Sequence, residues 1–145
     1  MPTVTLQDIL VCFLTLRDYY HTAHVSCKNS VFYSDHLLLE RLYNEASEPI
    51  DSIKEKMLGI GMGTPSIHLP TLYKKVFEKI KNLPYDCKEN AQYFEAACKL
   101  EEEMRQYCEA MDKDPASSVG VRTFIGDLAD GSEDRCYLIG QRLAK

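Results

Sequence analysis

Tryptophan is absent from the 145 residues, no two cysteines stand in C-x-x-C spacing, and neither end of the chain carries a basic tail. Each absence removes a class of function. Without paired C-x-x-C spacing there is no frame for a zinc ribbon or a thioredoxin-like redox site. Met1 to Thr5 contains no Lys or Arg, and the chain closes Gln141-Arg142-Leu143-Ala144-Lys145. Seventeen basic side chains against 22 acidic ones leave a formal charge of −5. Phosphate backbones are bound by clustered cations, so DNA binding is not expected. An acidic protein instead suits the attraction of cations.

Long apolar runs are also missing. No stretch approaches the roughly 20 residues that span a bilayer. The segment Ile9 to Leu16 has the look of a signal-peptide core, but Asp8 rather than a basic residue precedes it and no small-residue cleavage site follows. It reads as a buried helix face. The six cysteines stand singly, several among apolar residues in helical patterns, where Cys behaves as a small hydrophobe. That usage points to a reducing compartment, and the expected location is the cytoplasm.

What is present is helical periodicity, and enough chain for one domain over residues 1–145 with a real core. Leu6, Ile9, Leu10, Phe13, Leu16, Tyr20 and Ala23 repeat at helical spacing. A turn near Lys28-Asn29-Ser30 leads to a second segment, Ser34 to Leu58, with Ser34 as N-cap and the Gly59, Gly61, Gly63, Pro65 cluster as its stop. Pro49 lies inside this pattern and predicts a kink rather than two separate elements. Residues 70–81 read as a short connecting helix. A third long helix is expected from Asp86, capped by its side chain with Glu89 completing the box, to about Met111. Asp114-Pro115 suits the start of a fourth, in which Gly131 marks a possible break. The fold class is all-α: four long helices with a short extra helix between the second and third.

Among only four histidines, two stand in a regular relation to carboxylates: His24, His36, Glu40, Asp51 and Glu55. His36 and Glu40 are four apart and share one helix face, as do Asp51 and Glu55. Imidazole with carboxylate is a ligand set for iron, zinc or manganese. Glu40 and Asp51 lie eleven residues apart, about 16 Å along one helix, too far to hold one ion. Two copies of this helix lying antiparallel across a two-fold axis would bring one copy's Asp51 and Glu55 to the other's His36 and Glu40. The spacing therefore predicts a site shared between subunits.

The run His24-Val25-Ser26-Cys27-Lys28-Asn29-Ser30-Val31-Phe32-Tyr33-Ser34-Asp35-His36-Leu37-Leu38-Leu39-Glu40, continuing to Asp51-Ser52-Ile53-Lys54-Glu55, resembles the signature of the Dps-type mini-ferritins. That family has His, eleven residues, His, three residues, Asp or Glu, ten residues, Asp, three residues, Glu. All five positions are filled here, and Phe32 matches an aromatic position of the connecting turn. The resemblance implies a ferritin-like four-helix bundle. It implies a homo-oligomeric shell of twelve subunits, and His24, His36 and Glu40 as metal ligands facing Asp51 and Glu55 of a two-fold partner. Val25 stands where the family usually has Trp, leaving Tyr19, Tyr20, Tyr33 and Tyr43 as the nearby aromatic alternatives. Glu40 is one methylene longer than the commoner Asp. The other ferritin design, with Glu-x-x-His on separate helices, is absent because no such triplet occurs.

The implied function is ferroxidase chemistry with storage: ferrous iron at mono-iron or di-iron sites is oxidised by hydrogen peroxide or oxygen, and ferric mineral collects inside the shell. The alternative is a non-catalytic shell or interaction protein that binds zinc or little metal. Weaker features carry blander readings. His21 reads as a surface or interface histidine, and His68, in a Pro-flanked loop, as structural. Glu101, inside the apolar stripe of Ala97, Cys98 and Met104, reads as a paired carboxylate. Asp127, Asp130 and Asp134 share a helix face. They form either a solvated stripe or the acidic lining of a cation pore at a three-fold axis.

Overall fold

In the computed structural model residues 3–144 are described; Met1, Pro2 and Lys145, which belong to the tail argument above, lie outside them. The described chain is all-α. Its helices are α1 (Leu6–Ser26), α2 (Phe32–Ser47), α3 (Pro49–Gly59), α4 (Leu69–Ile80), α5 (Ala91–Lys113) and α6 (Val119–Leu143), with a 3-10 turn at Thr64–Ile67. α2 and α3 together make the second of four long rods, and α4 is the short helix between the second and third. None of these helices is long and apolar enough to cross a membrane.

α1 is the centre of the bundle. It begins in a capping box: the Thr5 side chain receives Gln7 N–H, and Asp8 reaches back to Thr5 N–H at 2.8 Å. It packs against α2, α3, α4 and α5. Being covered on so many sides, it can be apolar nearly all round, and Ile9 through Leu16 are all buried. The eight-residue run is thus a buried helix rather than one buried face. Helices α5 and α6 pair with each other. Along α6, Val121, Ile125, Leu128, Ser132, Arg135 and Ile139 are buried at helical spacing.

The structure corrects several boundaries. α2 starts at Phe32, and Ser34 does not cap it; its hydroxyl donates to Val31 C=O at 3.2 Å. The expected single kinked helix is divided at Glu48 into two. Pro49 has no N–H to give, so the ladder is interrupted, yet Glu48 keeps right-handed helical dihedrals (φ −57°, ψ −46°). The rod therefore continues in phase through the break. α5 begins at Ala91 rather than near Asp86, because Asp86 takes a left-handed conformation (φ 49°) incompatible with an N-cap. α6 begins at Val119, with Ser118 as the cap receiving Val121 N–H at 3.1 Å. Asp114 instead closes a turn onto Ala116 N–H. Nor does Gly131 break α6, which runs on through a buried polar anchor at Ser132 and Arg135.

Candidate metal centre

The turn between α1 and α2 is held from beneath by the core. Asn90 receives Lys28 N–H at 2.9 Å and donates to Lys28 C=O at 2.8 Å, so one amide fixes both polar groups of one turn residue. The same Asn90 amide donates to Asp35, which is 1% exposed. Asp35 in turn takes a two-pronged ion pair from Arg142, at 2.6 and 2.9 Å. The hydrogen bond to Asp35 is the main reason that the Arg142 guanidinium is held charged more firmly than usual, against the cost of its burial. Asp35 occupies the core stripe of α2 with Leu39, Leu42 and Ala46. A carboxylate there is stable only with such partners. Sequence reasoning missed it, although a charge in step with Leu39, Leu42 and Ala46 is the same signal that singled out Glu101.

On this clamped turn sit His24 and His36. His24 Nδ1 lies 2.8 Å from His36 C=O, and His36 Nδ1 lies 2.7 Å from His24 C=O. A carbonyl can only accept, so both Nδ1 atoms carry the proton and donate. In neutral imidazole, the form that binds a metal ion, an Nδ1 proton leaves the lone pair on Nε2. The rings stack with centroids 3.8 Å apart and planes within 17°, and Phe32 stacks on the other side of His36 at 5.0 Å. Both histidines are half-buried.

The three carboxylates are placed differently. Glu40, Asp51 and Glu55 are exposed on the α2–α3 rod. Because Glu48 keeps the helical phase, Glu40 and Asp51 differ by only about 20° around the axis, with His36 and Glu55 on the same side. One face thus carries the imidazole and Glu40 at one end, and Asp51 and Glu55 at the other. Among the described residues no three His, Cys, Asp or Glu side chains come close enough to hold a metal ion within one chain.

Inside the bundle, among the described residues, the acidic centre is filled by protein donors. Glu101, fully buried, receives Tyr20 O–H (2.9 Å), Ser132 O–H (2.6 Å) and two N–H groups of Arg135 (2.6 and 2.9 Å). It is a paired carboxylate, as its place in the stripe suggests. Burial disfavours the charge on Arg135, but the contact with Glu101 outweighs this and raises its pKa. Burial, followed by the neighbouring Glu101 charge, also pushes the Tyr20 hydroxyl well up, so it stays a donor.

The remaining residues sort themselves by surroundings. His21 is exposed, with its ring between His24 (6.2 Å) and Tyr43 (4.9 Å). Of the four tyrosines near the Val25 position, Tyr19 donates to Pro84 C=O and Tyr20 to Glu101, while Tyr33 is exposed. Tyr43 lies tilted against His21, with centroids 4.9 Å apart. Val25 itself is exposed. His68, exposed, precedes α4 and contacts the Thr71 hydroxyl at 3.1 Å. Asp127, Asp130 and Asp134 are all exposed on α6. Asp127 and Asp134, with Glu45 and Glu48, line a cleft of about 660 Å³ between α6 and the α2–α3 rod, floored by Phe13; Asp130 lies outside that lining.

No protein-family model matches the sequence, and no curated protein matches it. Solved structures do match the fold. The Dps of Microbacterium arborescens, described in its high iron form, superposes with a TM-score of 0.81 over 97% of this chain and 90% of that one, at 16% identity. DpsC of Streptomyces coelicolor superposes with a TM-score of 0.80 over 97% of this chain and 81% of that one, at 20% identity. The chain has the ferritin-like fold of these Dps proteins.

Proposed function

We propose that this chain is a Dps-type mini-ferritin subunit that oxidises ferrous iron at sites shared between two-fold-related copies and stores the ferric product in a hollow, dodecameric shell. The observation that carries the reading is the reciprocal pair of imidazole–carbonyl bonds, which ties up both Nδ1 atoms of two stacked rings and leaves their Nε2 atoms without a hydrogen-bond partner among the described residues. His24, His36 and Glu40 are one half of the site. Asp51 and Glu55 of a partner copy are the other.

Iron is the substrate here. The neutral imidazoles and anionic carboxylates suit Fe(II), and zinc would accept the same donors. Two ferrous ions supply the two electrons that reduce one hydrogen peroxide, with two protons, to two waters. Releasing both electrons together avoids hydroxyl radical and so protects the cell against oxidative damage. The clamp of Asn90, Asp35 and Arg142 keeps the histidines set before the metal arrives, so little ordering remains to be done on binding. Asp127, Asp130 and Asp134 are the acidic groups through which iron would gain access to the shell. A cytoplasmic location accords with six free thiols.

The test is complementation. His36→Ala and Asp51→Ala should each lower rapid ferrous oxidation roughly a hundredfold or more, since loss of merely supporting partners already costs about 10–100-fold in metal sites. In shells reassembled from both mutants, an interface with one chain of each kind has one site lacking both ligands and one site intact. Mixed shells should therefore regain activity. Mixed shells as inactive as their parents would refute the shared site, and zinc binding without oxidation in the parent protein would favour the non-catalytic shell.

A further inference from the structure

Away from the histidines, Cys98 of α5 and Cys136 of α6 face each other with their sulfurs 3.9 Å apart. Both are half-buried, whereas Cys12, Cys27, Cys87 and Cys108 are buried. Arg105 donates an N–H to Cys136 Sγ at 3.0 Å and a second bond, from the same nitrogen, to Ser132 at 2.8 Å. The two thiols are therefore not equivalent. Cys136 accepts from a guanidinium, the kind of cationic neighbour found beside reactive cysteines, and Cys98 stands as the donor beside it. Burial, and then the neighbouring Cys136, push the Cys98 thiol up to about 11, which keeps it protonated at neutral pH.

We propose that Cys98 and Cys136 form a peroxide-reactive dithiol, in which Cys136 is the attacking sulfur, Cys98 the resolving one and Arg105 the group that positions and activates Cys136. The Cys136 thiolate attacks one oxygen of hydrogen peroxide. An S–O bond forms, the O–O bond breaks, and the departing hydroxide takes a proton to become water. Cys136 is then a sulfenic acid. Cys98 sulfur attacks Cys136 sulfur, the S–S bond forms as S–O breaks, and the second hydroxide leaves as water with the Cys98 proton. Two thiols and one peroxide give one disulfide and two waters. Closing from 3.9 Å to a bond of about 2.05 Å needs side-chain rotation and a small approach of α5 to α6.

A soft metal ion is the other chemistry that a thiol pair could serve. The guanidinium 3.0 Å from Cys136 opposes a cation there, and among the described residues no third His, Cys, Asp or Glu completes a site. The charge beside the pair favours oxidation. The reaction does not draw on iron, and its test is independent of the ferroxidase reading.

The experiment treats the full-length, iron-free protein with hydrogen peroxide in the presence of a chelator, then measures intact mass and maps peptides. A loss of 2 Da with Cys98 joined to Cys136 is expected. Cys98→Ser should instead accumulate a sulfenic acid on Cys136 that a dione probe traps, and Arg105→Gln should slow disulfide formation several-fold while Arg105→Lys restores part of the rate. Zinc added to the reduced protein should protect neither thiol from alkylation. An unchanged mass at peroxide levels that oxidise a free thiol would overturn the proposal, as would a disulfide joining other cysteines. Equal rates in the parent and Arg105→Gln would remove Arg105 from it.

Discussion

The chain holds two groups of ionisable side chains, and they are finished to different degrees. Around Glu101, four donors converge on two oxygens inside the bundle, and the charge of Arg135 is met in the same place. Where α1 meets the α2–α3 rod, two imidazoles commit their Nδ1 atoms to carbonyls, and along the rod three carboxylates are exposed. The first group is complete within one chain. On the proposed function, the second is completed by a partner copy. A buried polar cluster that serves stability saturates its own bonding capacity; one that serves binding leaves capacity open and puts its rigidity into the atoms that do not bind. Here that rigidity lies at the two Nδ1 atoms and in the Asn90–Asp35–Arg142 clamp.

If that contrast is right, the largest loss of stability comes from the closed group. Glu101→Ala strands Arg135 in the core and should cost roughly 3–5 kcal/mol, lowering Tm by about 10 °C or more. A thermal melt within two degrees of the parent would show that the cluster is not a structural anchor. Asp35→Ala should cost less, roughly 1–3 kcal/mol, because Arg142 is partly solvated. It should also slow ferrous oxidation about tenfold, by freeing the turn that sets the histidines. Unchanged oxidation in a folded Asp35→Ala shell would mean that the histidines need no clamp.

The open group should behave in the opposite way. Asp51→Ala and Glu55→Ala, at exposed positions, should change stability by within about 0.5 kcal/mol while removing oxidation. A large destabilisation by either would place it in the scaffold. Smaller still is the effect expected from converting Asp127, Asp130 and Asp134 together to Asn: iron uptake slowed roughly two- to tenfold, with the oligomer unchanged in light scattering. Uptake at the parental rate would make the stripe a solvated surface. At near-neutral pH and moderate salt, no retardation of plasmid DNA is expected; a retarded band would reveal a local cationic patch.

The helices were legible because their apolar spacing is strong, and the short connecting helix expected at 70–81 lies at Leu69–Ile80. Three helix starts were misplaced because local backbone choices compete with capping. Ser34 bonds behind itself, Asp86 turns left-handed, and Asp114 closes a turn onto Ala116. The five positions proposed as ligands stand out in the sequence as a pattern. Their preorganisation does not, since the reciprocal histidine bonds exist only once two helix ends meet across a turn. Nor could Asp35 and Arg142, 107 residues apart, be paired from sequence.

That last separation sets an order of events during synthesis. The anchor beneath the histidine turn is closed by a side chain near the end of α6, so it cannot form until α6 has been made and has docked. A chain that stops short of Arg142 lacks this anchor, even where the histidine–carbonyl bonds between α1 and α2 have formed. On the proposed function, full readiness to take up iron would thereby wait on the docking of α6.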